Sequence, residues 1–216
     1  MKKGIMLLLI IFFLTGCINV FDSNYEGIIS FALQNEKEAF QNKTSQGYSY
    51  YLPKGLNILE DNSNNVVLKS DKYTFYLYLD LISYYNKIKE EYKEKSTAFF
   101  SKTITNGEKF GYLEINLKEK NKYLIEIMYN YAKIEVIVEN RDIKEMLSYA
   151  MSILSSISYN DTIIASMIGE DTLNASEIEF NIFETAKNES NLIEYDENTT
   201  TSDKNKDNIP DMDLIN

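Results

Sequence analysis

Lys109, Phe110, Gly111, Tyr112, Leu113, Glu114, Ile115, Asn116 and Leu117 alternate so that Gly111, Leu113, Ile115 and Leu117 fall on one side and Phe110, Tyr112, Glu114 and Asn116 on the other. A period of two marks a half-buried β-strand whose aliphatic set faces a core. Just before it stand Asn106 and Gly107, the dipeptide that favours a type I′ hairpin turn, preceded by Ala98 to Ile104 as the other arm. Tyr123 to Tyr129 and Lys133 to Val138 read as a second hairpin. Toward the N-terminus, Tyr73 to Ser83 puts Tyr73, Phe75, Leu77, Leu79 and Leu81 on one face and Thr74, Tyr76, Tyr78 and Asp80 on the other. Val66 to Ser70 and Tyr48 to Leu52 are shorter runs, the second stopped by Pro53 and Gly55. Residues 48–138 thus read as a meander, broken by Tyr84 to Lys95, where Ile88 and Tyr92 lie four apart among Lys and Glu as on a surface helix.

A one-sided sheet needs a partner for its aliphatic face, and residues 141–157 supply it. Ile143, Met146, Leu147, Ala150, Leu154 and Ile157 follow helical spacing behind Asn140 as cap. Burying those six side chains contributes on the order of 10 kcal/mol before entropy is charged. Tyr25 to Gln41 reads as a further helix, with Ser23 and Glu26 at capping-box spacing. The expected fold class is α+β, a single antiparallel sheet packed by helices. Thr162 to Ile168 is a short apolar run, and Ser176 to Lys187 carries Ile178, Ile182, Phe183 and Ala186 at helical spacing. Beyond Lys187 acidic residues outnumber Lys204 and Lys206 and large apolar groups are few, as in a mobile acidic tail. The 216 residues, 44% hydrophobic and 25% charged, suit one domain over 25–187 with its core at about 48–158.

The first residues read as an address. Lys2 and Lys3 precede an apolar run from Ile5 to Leu14, a secretory signal too short to span a bilayer as a helix. It ends in Leu14, Thr15, Gly16 and Cys17, which resembles the lipobox of bacterial lipoproteins. The resemblance implies cleavage between Gly16 and Cys17, so that residues 1–16 are removed, and diacylglycerol on the Cys17 sulfur. It also implies a mature chain held at the outer face of the cytoplasmic membrane. Diacylglycerol supplies two acyl chains, enough for stable anchoring. Cys17 is the only cysteine, so once acylated it leaves no thiol for a disulfide or a nucleophile. Residues 17–24 then form a tether.

The order of elements, three strands, a helix, two hairpins and a closing helix ending in Ile153, Leu154, Ser155, Ser156 and Ile157, is similar to the PsbP-like α/β sandwich superfamily. Tyr50, Tyr51, Leu52, Pro53, Lys54, Gly55 and Leu56 resemble the start of that superfamily, with Leu56 where it usually carries Trp. The resemblance spans about 48–158. It implies a small scaffold that binds proteins or is positioned at a membrane, generally without catalysis.

Composition excludes several chemistries. There is no His and a formal net charge of −11, which rules out histidine bases and His-ligated metals and disfavours nucleic acid as a partner. One motif has metal-like spacing: Asp203, Asn205 and Asp207 at alternate positions, then Asp211 and Asp213, resembling thrombospondin type 3 and related bacterial calcium loops. Calcium takes oxygens from positions so spaced, but Asn208 stands where Gly is expected and Leu214 where an EF-hand has Glu. A solvated acidic tail accounts for the same residues and, with no packed support for the loop, is the preferred reading.

Aromatic residues supply the second candidate, because Tyr76 and Tyr78 share one strand face and Phe110 and Tyr112 another, both opposite the aliphatic side. Half-buried strands favour Tyr and Phe in any case, so a dedicated binding face competes with ordinary packing. Asp80, Glu114 and Glu126 are the carboxylates that an acid/base pair would need, yet each falls on the solvent side of its strand. Ser155, Ser156 and Lys144 sit on a core helix without a nucleophile elbow, and no glycine-rich phosphate loop is present. The expected function is therefore that of a non-enzymatic, membrane-anchored lipoprotein docking a protein or envelope component. A solute- or polysaccharide-binding lipoprotein and a carboxylate-dependent surface hydrolase are the alternatives.

Overall fold

A computed structural model describes residues 23–168. The α+β class expected from the sequence is observed. Helix α1 (Tyr25–Gln34) leads through one turn of 3-10 helix (Glu36–Glu38) to strands β1 (Lys43–Ser45) and β2 (Tyr48–Tyr50). Next come β3 (Asn57–Asn62), β4 (Asn65–Lys69), β5 (Thr74–Leu79) and the short helix α2 (Leu81–Asn86). A non-helical strap over 87–99 then reaches β6 (Phe100–Asn106), β7 (Lys109–Glu119), β8 (Lys122–Tyr129) and β9 (Ala132–Glu139). Helix α3 (Ile143–Ser155), strand β10 (Ser158–Tyr159) and helix α4 (Asp161–Ile168) complete the described chain.

Seven strands form one antiparallel sheet in the order β3-β4-β5-β9-β8-β7-β6, so the two hairpin units meet where β5 pairs with β9. A second, three-stranded sheet, β1-β2-β10, stands beside it where one sheet was expected. Pro53 parts Tyr48–Tyr50 from the main meander, and that strand pairs instead with Ser158–Tyr159, delivered by the end of α3. The alternation decides the faces. Phe75, Leu77 and Leu79 pair with Val136, Ile134 and Ala132 and are buried, as are Leu113, Ile115, Ile125 and Ile127 farther across the sheet. Helix α3 lies on β8 and β9 over this aliphatic face, and α1 lies on α3.

Local departures have local causes. The cap of α1 is Asn24, whose Oδ1 accepts from the Gly27 N–H at 2.7 Å, rather than Ser23. No side chain caps α3: a turn of 3-10 helix replaces the expected Asn140 cap, and the Asp142 carboxylate is taken up by the Tyr73 hydroxyl at 2.6 Å. In the Asn106-Gly107 hairpin the two loop residues are Gly107 and Glu108, and only Gly107 has positive φ, the type II′ pattern rather than I′. The turn with both residues at positive φ is Asn130-Tyr131, where the ring of Tyr131 is buried edge-on against Tyr84 and Phe110.

The helix expected over 84–95 stops after Asn86. Lys87 is left-handed and the Ile88 N–H reaches back to the Ser83 carbonyl, a Schellman ending. Beyond this ending the sheet draws the chain out: the Tyr92 ring stacks on Tyr112 with centroids 4.1 Å apart, and the Lys95 N–H donates to Ser101 Oγ. No helix among the described residues is long and apolar enough to cross a membrane. Gly16, Cys17, the expected helix over 176–187 and the calcium candidates Asp203, Asn205, Asp207, Asp211 and Asp213 lie outside the described residues.

Candidate functional site

The face of the main sheet turned away from α3 carries the polar alternates of each strand. Register aligns them in rows: Tyr76 stands beside Glu135, Glu135 beside Glu126, Glu126 beside Glu114, and Glu114 beside Ser101. In the adjoining row Tyr78, Lys133, Met128, Tyr112 and Thr103 follow one another across the same strands. Three glutamates on three neighbouring strands would repel one another if left bare.

Each is instead answered. Glu114 is buried and accepts from Tyr92 Oη at 2.7 Å, Asn116 Nδ2 at 2.7 Å and Lys95 Nζ, whose ion pair closes to 2.9 Å. Glu126 accepts from Tyr112 Oη at 2.6 Å, and Lys133 Nζ lies 3.3 Å from Glu135. Burial raises the Glu114 pKa, but the bonds from Asn116, Lys95 and Tyr92 and the charge of Lys95 outweigh it and hold the carboxyl below its ordinary value. Glu114 is therefore an ionised acceptor, not a proton donor. Burial, helped by the Glu114 carboxylate, pushes the Tyr92 hydroxyl up to about 12, so it stays protonated and keeps donating.

The strap is a polar and aromatic cover for this face. Lys87 sits 3.8 Å from the centroid of Tyr84, and Lys89 lies 5.5 Å from that of Phe110 while its Nζ donates to the Glu108 carbonyl. Tyr84 in turn stacks on Tyr159 and donates to Asp161 at 2.7 Å, which ties α2 to the start of α4. Beside the strap a cavity of about 290 Å³ remains, lined by Tyr78, Asp80, Glu90, Tyr112, Tyr131 and Lys133 among others.

The sequence-level candidates are partly assembled here. Tyr78 and Tyr112 share the cavity, while Tyr76 stands in the glutamate row between Val67 and Glu135. Phe110 is half-buried against Tyr131 and under Lys89, so it packs more than it displays. Glu114 and Glu126 are direct neighbours, and the burial of Glu114 corrects the expectation of a solvated charge there. Asp80 lines the cavity but is spent on α2, its Oδ1 accepting from the Ser83 N–H at 2.7 Å. Ser156 braces the small sheet, its Oγ accepting from the Tyr51 N–H and donating to the Ile153 carbonyl.

Glu135, Tyr92 and Lys95 are not placed in a site by sequence, which puts Tyr92 only on a surface helix, though a signal for Glu135 exists. A two-residue turn at Asn130-Tyr131 forces Glu126 to face Glu135, because the two lie equally far from the turn on its two arms. Among the described residues no group of three or more His, Cys, Asp or Glu could hold a metal ion. No family model fits the sequence, and no curated protein resembles it closely enough to count as a relative.

Proposed function

We propose that this chain is a membrane-anchored extracytoplasmic lipoprotein whose α+β domain docks a protein or envelope component through the outer face of its main sheet. The anchor rests on the lipobox at Leu14 to Cys17. The observation that carries binding over catalysis is the saturation of Glu114. This buried acid is consumed by Tyr92, Lys95 and Asn116 in fixing a strap. Beside it the cavity carries tyrosine rings and the carboxylate of Glu90, with Asp80 held by the cap of α2 and Lys133 by Glu135, a wall suited to a polar protein surface. The likeness to PsbP-like scaffolds noted from the element order supports the same reading.

The test is affinity capture from intact membranes with three forms: the natural chain, Cys17→Ala, and Tyr78→Ser with Glu90→Lys. A specific protein recovered with the first and lost with the third supports the reading, and movement of Cys17→Ala from the membrane fraction to the medium supports the anchor. Recovery of a sugar or free peptide by the natural chain overturns it in favour of solute binding. A hydrolytic activity abolished by Glu126→Gln overturns it in favour of an enzyme.

A further inference from the structure

A cavity of about 490 Å³ lies on the opposite side of the fold, between α1 and α3. Its walls differ in kind from those of three smaller cavities. Ile28, Ala32 and Ala39 with the serine hydroxyls of α3 line it, and among the described residues no charged side chain does, in a chain that is 25% charged. Three smaller cavities all carry charge: Asp80, Glu90 and Lys133 in one, Asp71 and Asp142 in the second, Asp161 in the third. At the edge of this groove stand two phenylalanines that folding leaves open, Phe31 at 49% and Phe40 at 72% exposure.

Ser23, the first described residue, also lines this groove. Only five residues, 18–22, separate it from Cys17. At about 3.3–3.6 Å per residue, six steps of chain reach no farther than roughly 20 Å. If Cys17 carries its lipid in the outer leaflet, the groove cannot stand more than that distance from the anchor. Of the exposed aromatic rings Phe31, Phe40, Tyr85 and Phe99, the first two line this groove, whose described lining is uncharged and which lies within the short reach of the anchor. The cavity of the outer sheet face, by contrast, is walled by charge.

We infer that the α1–α3 groove is a membrane-contact face, with Phe31 and Phe40 seated in the interfacial layer of the bilayer that holds Cys17. Hydroxyls of α3 then meet the headgroups while the rings meet the upper acyl chains, the division of labour seen in interfacial helices. The described lining of the groove lays no carboxylate against an anionic leaflet, in a chain that is acidic overall. It fixes the orientation of the domain, where a lipid tether alone would leave it free to tumble. The inference rests on the lipoprotein reading, because the reach is measured from an acylated Cys17.

Acylation of Cys17 leaves the mature chain without thiols, so single cysteines can be placed in the full-length protein and labelled in its own membranes. Phe31→Cys and Phe40→Cys are compared with Leu59→Cys, an exposed position on β3. Each carries an environment-sensitive fluorophore read with a water-soluble and a lipid-attached quencher. The expected result is severalfold protection from the aqueous quencher at 31 and 40, with strong quenching from the lipid, and the reverse at 59. Equal aqueous quenching at all three positions, in protein that incorporates labelled palmitate at Cys17, overturns the membrane-contact face and leaves the anchor intact. Failure of palmitate incorporation, with the chain free of the membrane fraction, overturns the lipoprotein reading and the inference with it.

Discussion

Gly111 shows how one residue decides where a strand can run. A Cβ at this position would run into the backbone of Met128 and Tyr129 on β8, so β7 and β8 approach more closely here than any side chain allows. Its φ is unexceptional, and the demand is for space alone. Gly111→Ala must push the two strands apart next to the buried Tyr129, whose hydroxyl bonds Glu36 at 2.8 Å. Overpacking of this kind costs about 1–3 kcal/mol, and more where backbone is the obstacle. The expected outcome is an unfolding free energy lowered by that amount, read as a lower denaturant midpoint at unchanged slope, and a midpoint within experimental scatter of the natural chain would refute the close approach. Sequence alternation had already put Gly111 on the core side, but the reason for a glycine there was hidden. It lies in the partner strand, and only the register of β7 with β8 brings Met128 and Tyr129 alongside.

At the scale of elements, the strands and α3 were legible because period two and period 3.6 are written in residues that the core must bury. Phe75, Leu77 and Leu79, and Met146, Leu147 and Ala150, all lie where their spacing put them. The strap was not legible. Ile88 and Tyr92 have helical spacing, yet Ile88 is 53% exposed and Tyr92 spends its ring and hydroxyl on Tyr112, Ser101 and Glu114. Long-range partners outbid a marginal helix, which alone gains little in water at this length. The strand β3 was missed for a related reason: it is an edge strand, almost wholly exposed, so no burial pattern marks it. Since Glu114 takes both Tyr92 and Lys95 of the strap, release of the strap should be separable from unfolding. Glu114→Gln keeps the shape but removes the ion pair with Lys95, and its amide faces donors from Asn116 and Lys95. Hydrogen exchange is expected to quicken severalfold over 88–99 while the amides of β7 and β8 keep their protection. Equal loss of protection in strap and sheet would show instead that Glu114 holds the sheet together.

For the whole molecule the distribution of acid matters more than its amount. Three carboxyls with lowered pKa sit at three separate junctions. Glu36 joins the linker after α1 to Lys109, Tyr129 and Asn106; Glu114 joins the strap to the sheet; Asp142 joins the start of α3 to Tyr73 and Lys72. For Glu36, as for Glu114, burial works upward and is outweighed by its hydrogen bonds, while for Asp142 the Tyr73 hydroxyl leads the lowering. A carboxyl whose folded pKa lies below its unfolded value adds stability that is complete above the ordinary range, about 3.9 for Asp and 4.3 for Glu. That stability is lost as pH falls through the lowered folded value. An opposing effect comes from the net charge of −11, because protonating exposed carboxylates on the way down relieves self-repulsion. Salt decides between them. At about 0.15 M the Debye length is roughly 8 Å, so scattered surface charges are screened while the bonded carboxylates at the junctions are not. In such salt the urea midpoint is expected to hold level from neutral pH to about 5 and to fall below about 4, as the unfolded chain takes up protons first and the three junctions only at lower pH. In low salt the same titration should first rise toward a pH of about 5 before it falls. Glu36→Gln and Asp142→Asn should each lower the neutral-pH midpoint and shallow the acid limb. An acid limb of unchanged steepness in both variants would place the acid sensitivity elsewhere in the chain.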